Sequence, residues 1–355
     1  MASRRSAGID AGQALYRFTC GRAWPKVGFC CSARNDLGLA QDGKRTVRVP
    51  SEGCRNWGET VSAVALETQG SRPIRELPIA QQRGTEIAAR LAGKRAAVFL
   101  DYDGTLAAIA EHPDLALLDP DTRSVMEELA ERCFVAVVSG RDVDDVRAKI
   151  GLEALVYVGS HGFDIESPDG RAGPNQDAAG HRSALDLAEA ALGEQLGRLP
   201  DLLLERKRFS LAVHTRKVAD AEEDAVAEAV EQVLTEQPGL TVIRGKKVFE
   251  LRPAVDWHKG KAVLWLLQFL GGDAKDILPI YIGDDITDED AFQALQGHGL
   301  GIVVGDGVSA DSDRASFAGY ALAGPRQVRA FLEFLVALLR GQNADDAAAK
   351  LEASA

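Results

Sequence analysis

Cysteine is scarce over most of this 355-residue sequence. Of its 5 cysteines, only Cys133 lies beyond the first 54 residues; the others are Cys20, Cys30, Cys31 and Cys54. An odd number of cysteines with this clustering provides no disulfide framework. Cys133 lies in the apolar segment ERCFVAVVSG, and we expect it to be a buried thiol of the core rather than a reactive group.

Long apolar runs are missing as well. No segment approaches the roughly 18 consecutive apolar residues that are needed to cross a bilayer. The opening MASRRSAGID also lacks the hydrophobic stretch of a secretory signal. We therefore expect a cytoplasmic protein.

Positive charge is in short supply. Lysine and arginine number 41 against 53 aspartates and glutamates, which gives a net charge of -12 at pH 7. A molecule of this charge repels nucleic acid and anionic lipid, so we expect neither nucleic acid nor a membrane as a partner. With 46% hydrophobic and 26% charged residues, the chain has the composition of a globular protein rather than a disordered one.

The two ends of the chain differ from its middle. Residues 1–78 carry twelve basic residues against seven acidic ones and show no sustained helical or strand period. We expect this segment to be a poorly ordered basic extension; a docking arm or a targeting peptide is the alternative. The last segment, residues 341–355, is expected to be a flexible tail.

Between these ends, short apolar runs alternate with helical patterns. The runs AAVFL, FVAVV, LVYV, LPIYI and GLGIVV are each broken by glycine, charge or a helix. Fully apolar strands that alternate with helices are typical of a Rossmann-like parallel sheet covered on both faces. Ligands of such sheets bind beyond the carboxyl ends of the strands.

The middle of the chain breaks this rhythm, because its strand-like runs come in pairs. LTVIRG and KVFELRP predict a hairpin around Gly245, and two helical stretches accompany the paired strands. We therefore expect an inserted α+β cap domain over residues 163–255, an antiparallel sheet with helices on one face. The parallel-sheet core then comprises residues 79–162 and 256–340.

Two carboxylates leave the end of the first apolar strand. Asp101 and Asp103 follow VFL, and Gly104 permits the tight turn that brings them to one pocket. Carboxylates held close together repel each other unless a cation neutralises them or their environments separate their pKa values. That cost favours a functional role.

A second acidic cluster follows the strand PIYI. Asp284 and Asp285 begin the segment DDITD, in which Asp288 also suits a helix start. If the two strands are neighbours, Asp101, Asp103 and Asp284 converge with oxygen ligands, which suit a hard divalent cation such as Mg²⁺. Zinc is disfavoured, because the 6 histidines and 5 cysteines form no zinc-binding spacing.

A serine and a lysine are candidates for binding phosphate. Ser139 ends the strand FVAVV just before a helix start, where backbone N–H groups favour anions, although a plain helix cap is the alternative. Lys259 opens the helix KAVLWLLQFL, where a positive charge opposes the helix dipole. That misfit favours a role for Lys259 over a solvated lysine.

At this point the sequence resembles a known family. DYDGT, SGR, the lysine of HKGKA and GDDITD, in that order and each at a strand end, are similar to motifs of the haloacid dehalogenase-like phosphotransferases. GSHGFDIESPDG, KRFSLAVHTR, ELRPAVDWHKGKAV and YIGDDITDEDAF resemble the trehalose-6-phosphate phosphatases more narrowly. The likeness spans about residues 85–340 and includes the cap as well as the core.

The resemblance implies roles for the core residues. Asp101 would attack phosphorus and form an aspartyl-phosphate, while Asp103 would protonate the leaving sugar and then activate water. Mg²⁺ would bind Asp101, the backbone carbonyl of Asp103 and Asp284, with Asp285 close by. The residues that would hold the phosphoryl oxygens are Thr105, Ser139 and Lys259. Asp288 would orient this shell.

The resemblance also implies that the cap reads the sugar. A neutral disaccharide is recognised by directional hydrogen bonds. The candidate residues are His161, Gly162, Lys207, His214, Arg216 and Glu250. For His214 the alternative is a histidine that holds the cap together. Lys207 and Glu250 could also be structural.

The implied function is hydrolysis of trehalose 6-phosphate to trehalose and phosphate, the last step of trehalose biosynthesis. One alternative is a capped phosphatase that acts on another sugar phosphate. The other is a catalytically silent protein that binds sugar phosphate or a trehalose-making synthase. Association of the active enzyme with such a synthase is a further expectation.

Overall fold

The computed structural model describes residues 70–354, apart from residues 111, 171–177, 246, 272–273 and 306–312. Residues 1–69 of the predicted basic extension lie outside this range. Its last residues belong to the core: Arg72–Pro73 (β1) pairs with Ala315–Ser316, and Ile74 and Leu77 are buried. The prediction of a poorly ordered extension is therefore wrong for residues 72–78, whose isolated apolar side chains show no period.

The described chain forms an α/β structure. Its remaining strands, in chain order, are Arg95–Leu100 (β2), Phe134–Val138 (β3), Val156–Gly159 (β4), Asp164–Glu166 (β5), Leu203–Arg206 (β6), Leu211–His214 (β7), Leu240–Gly245 (β8), Val248–Pro253 (β9), Ile277–Gly283 (β10), Leu300–Val304 (β11), Ala315–Ser316 (β12) and Tyr320–Leu322 (β13). Its helices are Gly84–Leu91 (α1), Pro120–Ala130 (α2), Val143–Ile150 (α3), Ala178–Leu196 (α4), Glu223–Glu236 (α5), Lys259–Leu270 (α6), Glu289–Ala294 (α7), Pro325–Leu339 (α8) and Ala344–Glu352 (α9). Among the described helices, none combines the length and the apolar character that crossing a membrane requires.

The larger sheet, as far as the structure describes it, has seven strands in the order β13-β11-β10-β2-β3-β4-β5. All neighbouring pairs are parallel except β4 and β5. The central strands are buried on both faces, which explains their nearly continuous apolar sequence. This confirms the predicted Rossmann-like core.

Helices cover both faces of this sheet. Val98 and Leu100 of β2 pack in a cluster with α1, α2, α3, α8 and α9, whereas Ala97 and Phe99 pack in a second cluster with α6 and α7. Alternate side chains of one strand therefore fill two separate cores. Cys133 is a buried thiol, as predicted, and burial raises its pKa to about 12.

The C-terminal segment is a capped helix. The Asn343 side chain accepts hydrogen bonds from the backbone N–H groups of Asp345 and Asp346, and α9 then packs on α1. The contact is close: a Cβ atom at Gly84 would lie 2.7 Å from the Cβ of Ala348. The prediction of a flexible tail over residues 341–355 is therefore wrong for Ala344–Glu352. The helix was missed because it packs small alanines against Gly84. Its sequence therefore shows no stripe of large apolar side chains.

The smaller sheet is the predicted cap. It is antiparallel in the order β6-β7-β9-β8, and the hairpin around Gly245 joins β8 to β9. Helices α4 and α5 pack on one face and bury Leu211 and Val213 of β7 with Leu251 of β9. The other face, which includes Glu250, is not covered by these helices. The core sheet continues to Glu166 through β5, beyond the boundary predicted at residue 162.

Strands β2 and β10 are neighbours, as the site prediction requires. Leu100 pairs with Ile282, and the backbone N–H of Asp101 donates to the carbonyl of Ile282 at 2.9 Å. Both acidic turns therefore leave the same edge of the sheet side by side.

Candidate active site

Asp101 lies at the end of β2 and is almost fully buried. Its Oδ1 accepts a hydrogen bond from the Nζ of Lys259 at 2.9 Å. Burial raises the pKa of Asp101 well above its ordinary value, the Lys259 ammonium group opposes this rise, and Asp288 and Asp284 add to it. The Lys259 cation therefore offsets part of the cost of burying this carboxylate.

Lys259 is the first residue of α6 and is 2% exposed. Its Nζ donates to Asp101 and, at 2.7 Å, to the Oδ1 of Asp288. Burial lowers the pKa of Lys259, but the two carboxylates outweigh it and leave the pKa above its usual value. They also offset the unfavourable position of a cation at a helix N-terminus. The alternative of a solvated lysine is therefore wrong.

Asp288 is fully buried and is held by three donors. Besides Lys259, the hydroxyl of Tyr281 donates to its Oδ1 at 2.6 Å, and the backbone N–H of Asp285 donates to its Oδ2 at 2.9 Å. The sequence analysis did not identify Tyr281. The only indication of its role in the sequence was a hydroxyl group within the otherwise apolar strand PIYI.

Asp284 contacts the turn that follows β2. The hydroxyl of Thr105, itself fully buried, donates to the Oδ1 of Asp284 at 3.3 Å. Burial, and next the Asp288 carboxylate, raise the pKa of Asp284 to about 6. Gly104 has φ +78°, and a Cβ atom there would lie 2.0 Å from the Oδ2 of Asp284. The turn therefore requires glycine for its conformation and for the approach of Asp284.

The carboxylates of this cluster fit a divalent cation. One oxygen each from Asp101, Asp284 and Asp288 lie within 4.8 Å of one another. Three donors already occupy Asp288, so Asp101 and Asp284 are the more available ligands. An all-oxygen set suits a hard cation, and a cation would counteract the burial and the mutual repulsion that raise the pKa values of Asp101 and Asp284.

The carboxylate of Asp103 turns away from this cluster to Arg141. The guanidinium group of Arg141 donates to both carboxylate oxygens of Asp103 at 2.7 Å and to Asp145 at 2.7 Å. Such a two-pronged contact stabilises the ionised form of a carboxylate. The sequence placed Arg141 only at a helix start and did not predict this pairing.

The side chain of Asp285 also lies apart from the cluster. It is exposed and caps the turn at Ile286–Asp288, where it accepts hydrogen bonds from the backbone of that turn and, at 3.3 Å, from Thr287. The structure brings together Asp101, Asp284, Asp288 and Lys259, with Thr105 on Asp284.

Ser139 is buried at the end of β3. Its hydroxyl accepts a hydrogen bond from the backbone N–H of Arg141 at 3.1 Å, and its carbonyl accepts one from the backbone N–H of His161 at 3.0 Å. The hydroxyl thus makes the local turn contact that the cap alternative predicts, while its proton remains available for a ligand.

Residues 160–162 form a strained turn after β4. Ser160, His161 and Gly162 all have positive φ angles, of 49°, 57° and 109°. Two successive non-glycine residues in this region are costly and are typical of functional sites. The indole N–H of Trp257, which lies two residues before α6, donates to the Gly162 carbonyl at 2.7 Å and anchors the turn.

The imidazole of His161 lies on the backbone of the turn after Ser139. A Cβ atom at Gly140 would lie 2.6 Å from its Cε1. Burial lowers the pKa of His161 to about 4, with a further lowering by the Lys259 charge. His161 is therefore neutral near pH 7, and its Nδ1 is buried without a hydrogen-bond partner.

The low pKa of His161 predicts acid sensitivity. An unfolded chain protonates histidine near pH 6.5, whereas the folded protein does so near pH 4, so stability falls as the pH falls through this window. In His161→Asn the asparagine tolerates the positive φ of this position. We expect the unfolding free energy of this variant to fall between pH 7 and pH 5 by about 1 to 2 kcal/mol less than that of the wild type. Urea denaturation at both pH values measures this loss. The exposed His112→Asn is the control, and equal pH dependence in wild type and His161→Asn would contradict the prediction.

The cap candidates fall into two groups. The charges of Glu250 and Lys207 act on His161, as does that of Arg252, which the sequence analysis did not select. Glu250 also accepts a hydrogen bond from the hydroxyl of Ser210 at 2.9 Å.

The other two cap candidates, His214 and Arg216, have no described contact with His161. His214 lies 2.8 Å from Glu205 on the neighbouring strand, a contact that favours the alternative of a histidine holding the cap sheet. Arg216 is exposed beyond the end of β7.

The chemistry open to this edge of the sheet is phosphoryl transfer. A divalent cation held by Asp101 and Asp284 would, together with the buried Lys259 ammonium group, neutralise the charge of a phosphate, a task that a neutral ligand does not require. Together with the fold, the site defines a capped phosphotransferase of the haloacid dehalogenase-like class.

Comparison with known sequences narrows this class. The family model for trehalose-phosphatase matches residues 99–326. Over 282 residues the chain is 44% identical to the trehalose-phosphate phosphatase of Mycobacterium tuberculosis, covering 79% of this chain and 71% of that protein. Over 307 residues it is 40% identical to that of Mycobacterium avium, with coverages of 84% and 76%. The chain belongs to the trehalose-phosphatase family.

Solved structures share the fold. A trehalose-6-phosphate phosphatase related protein matches with a TM-score of 0.57 and 25% identity, over 68% of this chain and 97% of that one. The trehalose-6-phosphate phosphatase of Aspergillus fumigatus matches with a TM-score of 0.55 and 26% identity, over 73% and 98% of the two chains. The fold of this chain is therefore similar to those of these solved structures.

Proposed function

We propose that this protein hydrolyses trehalose 6-phosphate to trehalose and phosphate. The observation that carries the proposal is the buried cluster of Asp101, Lys259, Asp288 and Asp284 at the carboxyl edge of the sheet. A protein that only binds sugar phosphate needs no nucleophile, and holding three carboxylates around one buried lysine is costly. The relatives named above support trehalose 6-phosphate as the substrate.

In the first step Asp101 attacks phosphorus. A bond forms between its carboxylate oxygen and phosphorus, and the bond from phosphorus to the sugar oxygen breaks. Asp103 gives a proton to the departing sugar oxygen. Because both oxygens of Asp103 accept hydrogen bonds from Arg141, Asp103 must leave this contact to donate that proton.

In the second step water hydrolyses the aspartyl-phosphate. Asp103, now ionised, takes a proton from the water, which attacks phosphorus and releases Asp101 and inorganic phosphate. Thr105, Ser139 and Lys259 hold the phosphoryl oxygens and offset the charge spread over them. Asp288 positions Lys259 for this task.

Asp101, Asp284 and the backbone carbonyl of Asp103 are the proposed ligands of a divalent cation, with Asp285 nearby. Mg²⁺ is proposed because hard oxygen ligands suit it; when bound, it would neutralise the phosphate and the two carboxylates. In the cap, the proposed sugar-binding residues are His161, Gly162, Lys207, His214, Arg216 and Glu250. We also propose a cytoplasmic location and association with a trehalose-6-phosphate synthase.

A substrate profile tests this function. We expect kcat/KM for trehalose 6-phosphate to exceed that for glucose 6-phosphate or sucrose 6-phosphate by about 100-fold or more, because a site that hydrogen-bonds its substrate rejects analogues that leave buried groups unpaired. Phosphate release should require Mg²⁺ and stop with EDTA. Similar rates on all three esters would indicate a less specific sugar phosphatase. Binding without phosphate release from any ester would indicate a silent sugar-phosphate-binding protein.

A further inference from the structure

The turn between β6 and β7, residues Lys207–Ser210, belongs to the cap but rests on the core. The ring of Phe209 stacks on the ring of Phe163, which immediately precedes β5 of the core sheet. The ring centroids are 6.4 Å apart, and both residues are buried. The turn is therefore anchored by an apolar contact between cap and core.

Arg208 adds two polar contacts at the same place. Its backbone N–H donates to the Oδ2 of Asp142 at 2.9 Å, and its guanidinium group donates to the Oδ2 of Asp164 at 2.7 Å. Asp164 is mostly buried, so its carboxylate depends on the Arg208 cation in place of water. Two carboxylates of the core thus hold one residue of the cap.

Asp142 uses its other oxygen within the core. The hydroxyl of Ser160 donates to the Oδ1 of Asp142 at 2.9 Å. Ser160 opens the strained turn that carries His161, and its backbone N–H donates to the carbonyl of Arg141, the residue before Asp142. One carboxylate therefore fixes the His161 turn with one oxygen and the cap turn with the other.

We propose that Asp142 is a positioning residue for sugar recognition. Through its two oxygens it sets the separation between His161 in the core and Lys207, the neighbour of Arg208, in the cap. The charge of Lys207 already acts on His161 across this gap. The inference rests on the proposed function, in which the sugar binds between these residues while the phosphate binds at Asp101.

The test compares a sugar phosphate with p-nitrophenyl phosphate, which has no sugar to recognise. Asp142→Asn keeps the shape of the side chain but presents an amino group where a second acceptor is needed. We expect KM for trehalose 6-phosphate to rise about tenfold, as loss of a hydrogen bond to a charged group predicts. We expect kcat for trehalose 6-phosphate and kcat/KM for p-nitrophenyl phosphate to change less than about twofold. The exposed Asp144→Asn, in the first turn of α3, is the control.

A second variant removes the other polar contact of this turn, the ion pair between Arg208 and Asp164, and keeps the backbone N–H that donates to Asp142. Arg208→Ala should raise KM for the sugar phosphate about threefold, again with little change on p-nitrophenyl phosphate. Its control is Arg244→Ala, which breaks an ion pair with Glu231 inside the cap. For Asp142→Asn, an equal loss on both substrates, or an unchanged KM for the sugar phosphate, would overturn the positioning role.

The wild-type enzyme separates this inference from the proposed function. If wild type prefers another sugar phosphate, the trehalose assignment fails, and the same KM comparison is made with the preferred ester. If wild type cleaves p-nitrophenyl phosphate but no sugar phosphate, both the function and the role of Asp142 are overturned.

Discussion

Asp101→Asn is expected to lower the rate of phosphate release at least about a thousandfold, because an amide oxygen is too weak a nucleophile to form the acyl phosphate. The substitution keeps the size of the side chain, and Asp288 still pairs with Lys259 at 2.7 Å. The variant should therefore fold and should still bind the substrate. The measurement is single-turnover phosphate release from trehalose 6-phosphate, together with a thermal melt.

Asp121→Asn is the matched control for this experiment. Asp121 is exposed on α2 and contacts Arg329 at 3.1 Å. Its replacement should leave turnover within about twofold of wild type. Substantial turnover by Asp101→Asn would show that another group attacks phosphorus.

Lys259→Met is expected to cost about 3 to 5 kcal/mol of unfolding free energy, because it leaves Asp101 and Asp288 buried without their cation. Turnover should also be lost, since no ammonium group remains to hold the phosphoryl oxygens. Urea denaturation measures the stability. Lys261→Met is the control: Lys261 lies two residues further along α6, is partly exposed and pairs with Asp256, so its loss should cost less than about 0.5 kcal/mol.

The pH dependence of Lys259→Met provides an independent check. Burial already raises the pKa of Asp101 in the wild type, and the Lys259 charge is the main opposing influence. Without that charge, the folded variant binds protons that the unfolded chain releases above about pH 4. Its stability therefore falls as the pH rises. The deficit relative to wild type should shrink between pH 7 and pH 5, and a deficit independent of pH would contradict the role of Lys259 as counter-ion.

The acidic edge of the sheet could be predicted from the sequence because its signals are local. Each of Asp101, Ser139 and Asp284 directly follows an apolar run, and parallel strands bring such positions to one edge. Lys259 was identifiable because its charge is unfavourable at a helix start. The hairpin of the cap was equally local, with Gly245 between two strand-like runs.

Other features depend on contacts between distant residues and leave little local trace. Arg141 holds Asp103 from 38 positions away, and Asp142 reaches Arg208 across 66 positions. The pairing of small residues that anchors α9 likewise needs Gly84, which lies in another helix. No periodicity of charge or hydropathy encodes such a partnership, because either residue alone is also an ordinary surface or turn residue.

The neighbouring positions of β2 and β10 have a consequence for biosynthesis. During translation, the strand that carries Asp101 emerges from the ribosome early, whereas its partner strand follows only after the whole cap has been made. Until then one edge of β2 has no neighbour, and an open edge of an apolar strand is prone to aggregate. The nascent chain therefore completes the pocket around Asp101 and Asp284 only after the cap has been synthesised.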